Sequence, residues 1–239
     1  MKNSTKSLLL CLILFNLSNN TFSQGIEIIN TITISVGAVD DLEYFNENFY
    51  ILSQGNIIRV SEEGKIVTKE KTKENIKGIA TNQQNAELNI LKENGEINNM
   101  DGSTLSKINN KETNINHHNE IKYIAITDNG YISFTKEGWS SRISFFNSSG
   151  NEITSIPSPG LGEVSGIIYS NGNIWIVSDL GEKKNGIFRK YELLADSIVE
   201  KEVFEILIKQ PKGLTIDKEG SFFTYSEETK QIVNFKLKK

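Results

Sequence analysis

The 239-residue sequence contains a single cysteine, Cys11, which lies in an apolar segment near its start. The rest of the chain therefore has no cysteine, and a disulfide framework cannot hold the fold together. A lipoprotein would acylate Cys11, but that reading needs a small residue immediately before the cysteine, where Leu10 stands. The stability of the protein must come from packing and hydrogen bonding alone.

No apolar run is long enough to cross a membrane. The longest, residues 8–17, has about half of the roughly 20 residues that a spanning helix needs. Lys2 and Lys6 precede it and small residues at 21–23 follow, an order typical of a secretory signal peptide. We predict a signal peptide at residues 1–23 and one domain at residues 24–239; a retained transmembrane helix is the alternative. The mature protein is then expected in the periplasm, on the cell surface or in the medium, with no stable membrane insertion.

The sequence also has no basic stripe and no recognisable catalytic motif. The net charge is −4 with lysine and glutamate interspersed, which argues against a nucleic-acid partner. Neither G-x-S-x-G nor a glycine-rich phosphate loop occurs. His117 and His118 are adjacent in an Asn-rich segment, and no cysteine or third histidine joins them as a metal ligand. We therefore predict no catalytic residue, no metal and no cofactor.

One pattern that is present recurs along the chain, and its clearest copy is at residues 164–178. This copy reads VSGIIYSNGNIWIVS, two alternating apolar segments joined by Asn171-Gly172, a strong hairpin signal. Related segments occupy residues 39–53, 76–91, 121–135 and 211–226. The third position is glycine in three copies (Gly78, Gly166 and Gly213), as expected where neighbouring backbones approach closely.

The copies start 37 to 47 residues apart, which is the length of a four-stranded propeller blade. We predict an all-β propeller of five blades. The last copy is followed by only one further strand, QIVNFKLKK, so residues 26–35 are expected to supply its fourth strand and close the ring. A six-bladed ring, with a degenerate blade within residues 94–119, is the alternative.

The repeat brings the starts of first strands and the ends of second strands to one mouth of the ring. Lysines concentrate on blades two and three, and carboxylates on blades four, five and one. Such a mouth could orient a small polar or zwitterionic ligand against a flat tryptophan; the alternative is that charges cluster there because loops are solvated. The candidate ligand-binding residues are Lys77, Lys122, Trp139, Arg142, Glu163, Ser165, Asp179 and Lys212.

Two segments, VSGIIYSNGNIWIVSDLGEKKNGIFRKY and QPKGLTIDKEGSFFTYSEETKQIVNFKL, resemble the last blades of the SdiA-regulated family of exported bacterial propellers. They are also similar to NHL-type repeats. The resemblance covers the C-terminal third well, and its motifs are structural, so it implies a fold and supplies no catalytic residue. Gluconolactonase-like propellers are possible enzymatic relatives that hold a divalent cation at the axis. Lys77, Lys122 and Lys212 depart from that pattern, because ammonium groups repel a divalent ion.

The leading hypothesis is therefore an exported, non-enzymatic, monomeric propeller that presents one rim to a small polar ligand or to an envelope protein. The first alternative is a metal-dependent propeller hydrolase or lactonase. The second is a structural scaffold within an envelope assembly.

Overall fold

The computed structural model describes residues 25–72, 74–82, 86–108, 119–137, 140–157, 162–194 and 198–238. The predicted signal peptide, His117, His118 and Trp139 lie outside these ranges. No helix within them is both long and apolar enough to span a bilayer.

The described strands form five four-stranded antiparallel sheets. Blade 1 contains β2 (Asp41–Phe45), β3 (Asn48–Ser53), β4 (Asn56–Ser61) and β5 (Ile66–Lys71). Blade 2 contains β6 (Ile76–Asn82), β7 (Glu87–Lys92), β8 (Glu96–Asn99) and β9 (Thr104–Lys107). Blade 3 contains β10 (Asn119–Thr127), β11 (Gly130–Glu137), β12 (Ser140–Asn147) and β13 (Glu152–Pro157). Blade 4 contains β14 (Glu163–Ser170), β15 (Asn173–Asp179), β16 (Asn185–Leu193) and β17 (Ile198–Lys209). Blade 5 contains β18 (Pro211–Ile216), β19 (Phe222–Ser226), β20 (Gln231–Leu237) and β1 (Ile26–Thr33).

The five-bladed architecture and its closure by the N-terminal strand are confirmed. The strand β1 pairs antiparallel with β20, from Ile26 opposite Leu237 to Thr33 opposite Gln231. The segment that could have held a sixth blade instead supplies β8 and β9, two short strands that complete blade 2. Contacts between β2, β6, β10, β14 and β18 run from blade to blade and close the ring around its axis.

The core lies between the faces of neighbouring blades. Between blades 4 and 5 the rings of Trp175, Phe188, Phe222 and Phe235 pack together, with centroids 4.9–5.6 Å apart. Because each blade is covered on both faces, its second strand is apolar at most positions rather than strictly alternating. A buried aromatic or large aliphatic side chain of this kind stabilises the fold by about 1.5–3 kcal/mol.

Two of the inner strands approach their neighbours so closely that a side chain larger than glycine would collide with backbone at Gly166 and Gly213. A Cβ atom on Gly166 would lie 2.6 Å from the carbonyl carbon of Gly213. A Cβ atom on Gly213, whose φ is +65°, would lie 2.4 Å from the backbone nitrogen of Leu42. The glycine column therefore brings the axial ends of the inner strands together and fixes the width of the mouth that they surround.

Candidate functional site

A pocket of about 250 Å³ opens on the axis where the inner strands begin, and we call it the axial pocket. Each of the five blades contributes one charged residue to its lining. The lining residues are Val39, Asp40, Asn75, Ile76, Lys77, Lys122, Tyr123, Glu163 and Lys212. The pocket is thus small, polar and lined by charges of both signs.

The three lysines of the axial pocket are held by carboxylates. Lys77 Nζ lies 3.2 Å from Glu93 Oε1 within blade 2. Lys122 Nζ of blade 3 lies 3.8 Å from Glu163 Oε1 of blade 4. Lys212 Nζ of blade 5 lies 3.1 Å from Asp179 Oδ2, also of blade 4. Two of these pairs bridge neighbouring blades, and the lysine of blade 5 lies between carboxylates of blades 4 and 1, so the positive groups are not confined to blades 2 and 3.

The structure brings together half of the predicted ligand-binding residues. Lys77, Lys122, Glu163 and Lys212 line the axial pocket, and Asp179 lies next to it as the partner of Lys212.

Two other candidates are placed elsewhere. Ser165 is fully buried, and its hydroxyl donates to the backbone oxygen of Val177 at 3.4 Å. Arg142 lies on β12, the third strand of blade 3, and is not part of the pocket lining. Trp139 is outside the described residues, so its expected role stays a prediction.

Sequence reasoning missed Tyr123, which lines the axial pocket on β10. Its φ is +54°, a left-handed conformation that is unusual for an aromatic residue. Tyr123 occupies the column in which Gly78, Gly166 and Gly213 stand in other copies. A tyrosine in a glycine column was the signal that could have identified it.

Two carboxyl groups of β2, those of Asp41 and Glu43, were also missed as an axial pair. Asp41 is 4% exposed, and its carboxylate accepts hydrogen bonds from the backbone N–H groups of Leu42 at 2.9 Å and Ile79 at 3.0 Å. Burial raises the pKa of Asp41 to about 7 against the effect of these donors, and the charge of Asp40 adds to the rise.

Glu43 lies further along the axis and is 7% exposed. Burial raises its pKa to about 8, Asp41 adds to the rise, and the neighbouring Thr81 and Thr215 partly offset it. Glu43 borders a hollow of about 790 Å³ at the opposite end of the axis, together with Tyr44, Glu62 and Asp217. Blade 1 thus places two protonatable groups on the axis between the two ends of the ring.

A divalent cation needs several oxygen, nitrogen or sulfur ligands directed at one point. No three His, Cys, Asp or Glu side chains within the described ranges lie together in an arrangement that could hold a metal ion. In addition, three lysines line the axial pocket, where a hard cation would need oxygen ligands. The axial chemistry of this chain is that of charged hydrogen-bond donors and acceptors.

No protein-family model matches the sequence, and a search of curated proteins finds no significant match. Solved structures with a similar fold do exist. A gluconolactonase from Xanthomonas campestris has a TM-score of 0.55 at 10% identity, with 85% of this chain and 78% of that chain covered. A chain of a mitotic checkpoint complex has a TM-score of 0.50 at 12% identity, with 83% of this chain covered.

The present chain spans 63% of that mitotic checkpoint chain, less than two thirds of its length. At these identities the similarities show a shared propeller fold alone. The finer resemblance to the SdiA-regulated family and to NHL-type repeats stays a prediction.

Proposed function

We propose that this protein is an exported, non-enzymatic propeller that binds a small zwitterionic ligand in the axial pocket. The observation that carries the proposal is the ring of charges in that pocket, to which each blade contributes one member. Three ammonium groups and two carboxylates face a common space, so a ligand with both a positive and a negative group can pair with the wall at both ends.

The size of the axial pocket supports a small ligand. Its volume of about 250 Å³ is below the roughly 300–1,000 Å³ of sites for drug-sized molecules, which suits a molecule of the size of a dipeptide. The wall is also ordered before the ligand arrives, because the lysines of blades 2, 3 and 5 already have carboxylate partners. A preformed wall lowers the entropy cost of binding.

A thermal-shift screen of amino acids, dipeptides, sugars and nucleotides tests the proposal. Zwitterions are expected to raise the melting temperature, and Lys122→Glu or Lys212→Glu is expected to weaken their binding about tenfold by removing one charge-assisted contact. The matched control is Lys218→Glu, whose side chain is 84% exposed and lies at the opposite end of the axis. Unchanged affinity in both pocket variants would overturn the proposal.

One observation favours a second candidate, a metal-dependent hydrolase: the fold similarity to a gluconolactonase. The absence of a fitting donor set among the described residues is the reason that we rank it second. Metal analysis of the purified protein, with melting curves in calcium and in zinc, separates the two. Stoichiometric bound metal and lactone hydrolysis would favour the enzyme.

Export is part of the proposal and has its own test. Cleavage after Ser23 would leave β1, which begins at Ile26, intact for ring closure. N-terminal sequencing of protein recovered outside the cytoplasm is expected to begin at Gln24. Co-purification of the same protein in a stable envelope complex would instead favour the scaffold reading.

A further inference from the structure

Four of the five inner strands carry a bulge where they enter the axial pocket. In β6 the pairing passes from Ile76 opposite Lys92 to Gly78 opposite Leu91, so the strand register skips Lys77. In β14 the unpaired residue is Ser165, at the same position of the repeat. Bulges of this kind bend a strand and redirect a side chain, and they are frequent beside binding sites.

The bulge of β10 is displaced by one residue relative to those of β6 and β14. Lys122 remains opposite Phe134 and Ile124 is opposite Ser133, so the strand register skips Tyr123. The bulge therefore lies at Tyr123, whose ring is 6.4 Å from that of Phe134 in the core between blades 3 and 4. Tyr123 is 8% exposed and forms part of the pocket wall.

The backbone at Tyr123 is also strained, since its φ of +54° is unfavourable for a residue with a large side chain. Strain of this kind persists where the surrounding structure imposes it, and it is concentrated at functional sites. Here the neighbouring strand imposes it by close contact: a Cβ atom on Gly78 would lie 3.2 Å from Tyr123 Cα and 3.3 Å from Ile124 N. The segments Lys77-Gly78 and Lys122-Tyr123 thus lie directly against each other.

This contact makes one side of the axial pocket chemically distinct. Around the ring the five lining charges belong to Asp40, Lys77, Lys122, Glu163 and Lys212, in blade order. Lys77 and Lys122 are the only adjacent pair in this series with the same sign. The Lys122–Glu163 contact, at 3.8 Å, joins Lys122 to the next blade rather than to its own, as the Lys212–Asp179 contact does for Lys212.

We propose that Lys77, Lys122 and Tyr123 form the subsite for the carboxylate end of the ligand, and that Tyr123 determines its specificity. This inference rests on the proposed function. Two ammonium groups and a phenol supply hydrogen-bond donors to a carboxylate. A dianionic phosphate is disfavoured, because Asp40 and Glu163 also line the pocket and repel a second negative charge.

Three small probes separate the two ends of a zwitterion: glycylglycine carries both charges, N-acetylglycine only the carboxylate, and glycinamide only the ammonium. Their affinities are measured by NMR titration of the wild type, Tyr123→Phe and Tyr169→Phe. Tyr169→Phe is the matched control, because its hydroxyl donates to Asp128 at 3.0 Å, outside the axial pocket.

Tyr123→Phe is expected to lower the affinity for glycylglycine and for N-acetylglycine about tenfold. This is the usual effect of losing a hydrogen bond to a charged group. Glycinamide is expected to bind the wild type and Tyr123→Phe equally. Tyr169→Phe is expected to have the affinities of the wild type for all three probes. Lys77→Gln is a second variant that is expected to weaken the same two probes without touching the ring of Tyr123.

The outcomes distinguish this inference from the function on which it rests. If the wild type and Tyr123→Phe bind a zwitterion in the axial pocket with equal affinity, Tyr123 is not part of the carboxylate subsite. The proposed function would then remain supported. Phosphate binding more tightly than N-acetylglycine would overturn the carboxylate assignment. Failure of all three probes and of the wider screen to shift pocket resonances would overturn both proposals.

Discussion

Asp41 and Glu43 occupy two positions of β2 at which the other inner strands carry no carboxylate. Both are almost completely buried, and burial holds their pKa values near 7 and near 8. Such groups retain protons in the folded protein that an unfolded chain would release at neutral pH. Blade 1 therefore makes the stability of the whole ring sensitive to pH.

The sign of this effect follows from the direction of the pKa shifts. A pKa raised by folding contributes stability below the unfolded value and loses it as pH rises through the folded value. For Glu43 this window runs from its ordinary pKa of 4.5 to about 8. We expect the free energy of unfolding to fall across this range, and Glu43→Gln to remove on the order of 5 kcal/mol of that fall. Urea denaturation between pH 5 and pH 9 measures it.

The control for this prediction is Glu219→Gln, which removes a carboxylate that is more than half exposed at the same end of the axis. Its stability is expected to follow pH as that of the wild type does. Parallel curves for the wild type and Glu43→Gln would show that Glu43 does not hold its proton in the folded protein.

At the level of the elements, the inner strands are set by glycines at their crossings. Gly213 combines a left-handed φ of +65° with backbone contacts that leave no room for a Cβ atom. Gly172, in the hairpin of blade 4, has a similar φ of +75° but open space around it. Comparing alanine variants at these two positions therefore distinguishes the cost of backbone strain from the cost of steric exclusion.

Gly172→Ala is expected to cost about 1 kcal/mol, because it adds only the strain of a left-handed alanine. Gly213→Ala is expected to cost about 3 kcal/mol or more, because the inner strands must also move apart. Chemical denaturation of both variants measures the difference. Equal losses would mean that the crossing of β18 and β2 adapts to a methyl group without cost.

Strands that repeat a pattern were predictable from the sequence. The alternation in residues 164–178 and its Asn-Gly turn predicted β14 and β15, and the glycine column predicted the crossings. The bulges were not predictable, because a one-residue shift of pairing leaves the apolar pattern of a doubly covered strand unchanged. The bulge at Tyr123 could not be predicted for that reason, although the tyrosine itself stands out in the glycine column. Lys77, Lys122 and Lys212 could be placed at the mouth from the sequence, because they occupy the same position of the repeat at the starts of inner strands.

For the molecule as a whole, closure depends on a strand taken from the other end of the chain. Ile26 and Ile32 of β1 pack against the two apolar clusters that flank blade 5. Without β1, the edge of β20 and both of these contacts are exposed. This closure was predictable because the last repeat lacks a fourth strand and residues 26–35 lack a hairpin partner.

A chain that begins at Ile34 is therefore expected to melt about 10 °C or more below one that begins at Gln24, since each kcal/mol shifts the melting temperature of a protein of this size by about 2–4 °C. Adding a synthetic peptide of residues 25–33 is expected to restore part of the loss. Equal melting temperatures would show that blade 5 is stable with three strands.

The pairing of Ile26 with Leu237 also determines when the ring can close during synthesis of the chain. Synthesis proceeds from the N-terminus, so β1 is made first and its partner β20 is made last. The ring cannot close until all five blades have emerged, and its folding rate must include the slow closure of a very long loop. Completion of the fold therefore waits until β20 has been made, and the nascent chain remains an open array of blades until then.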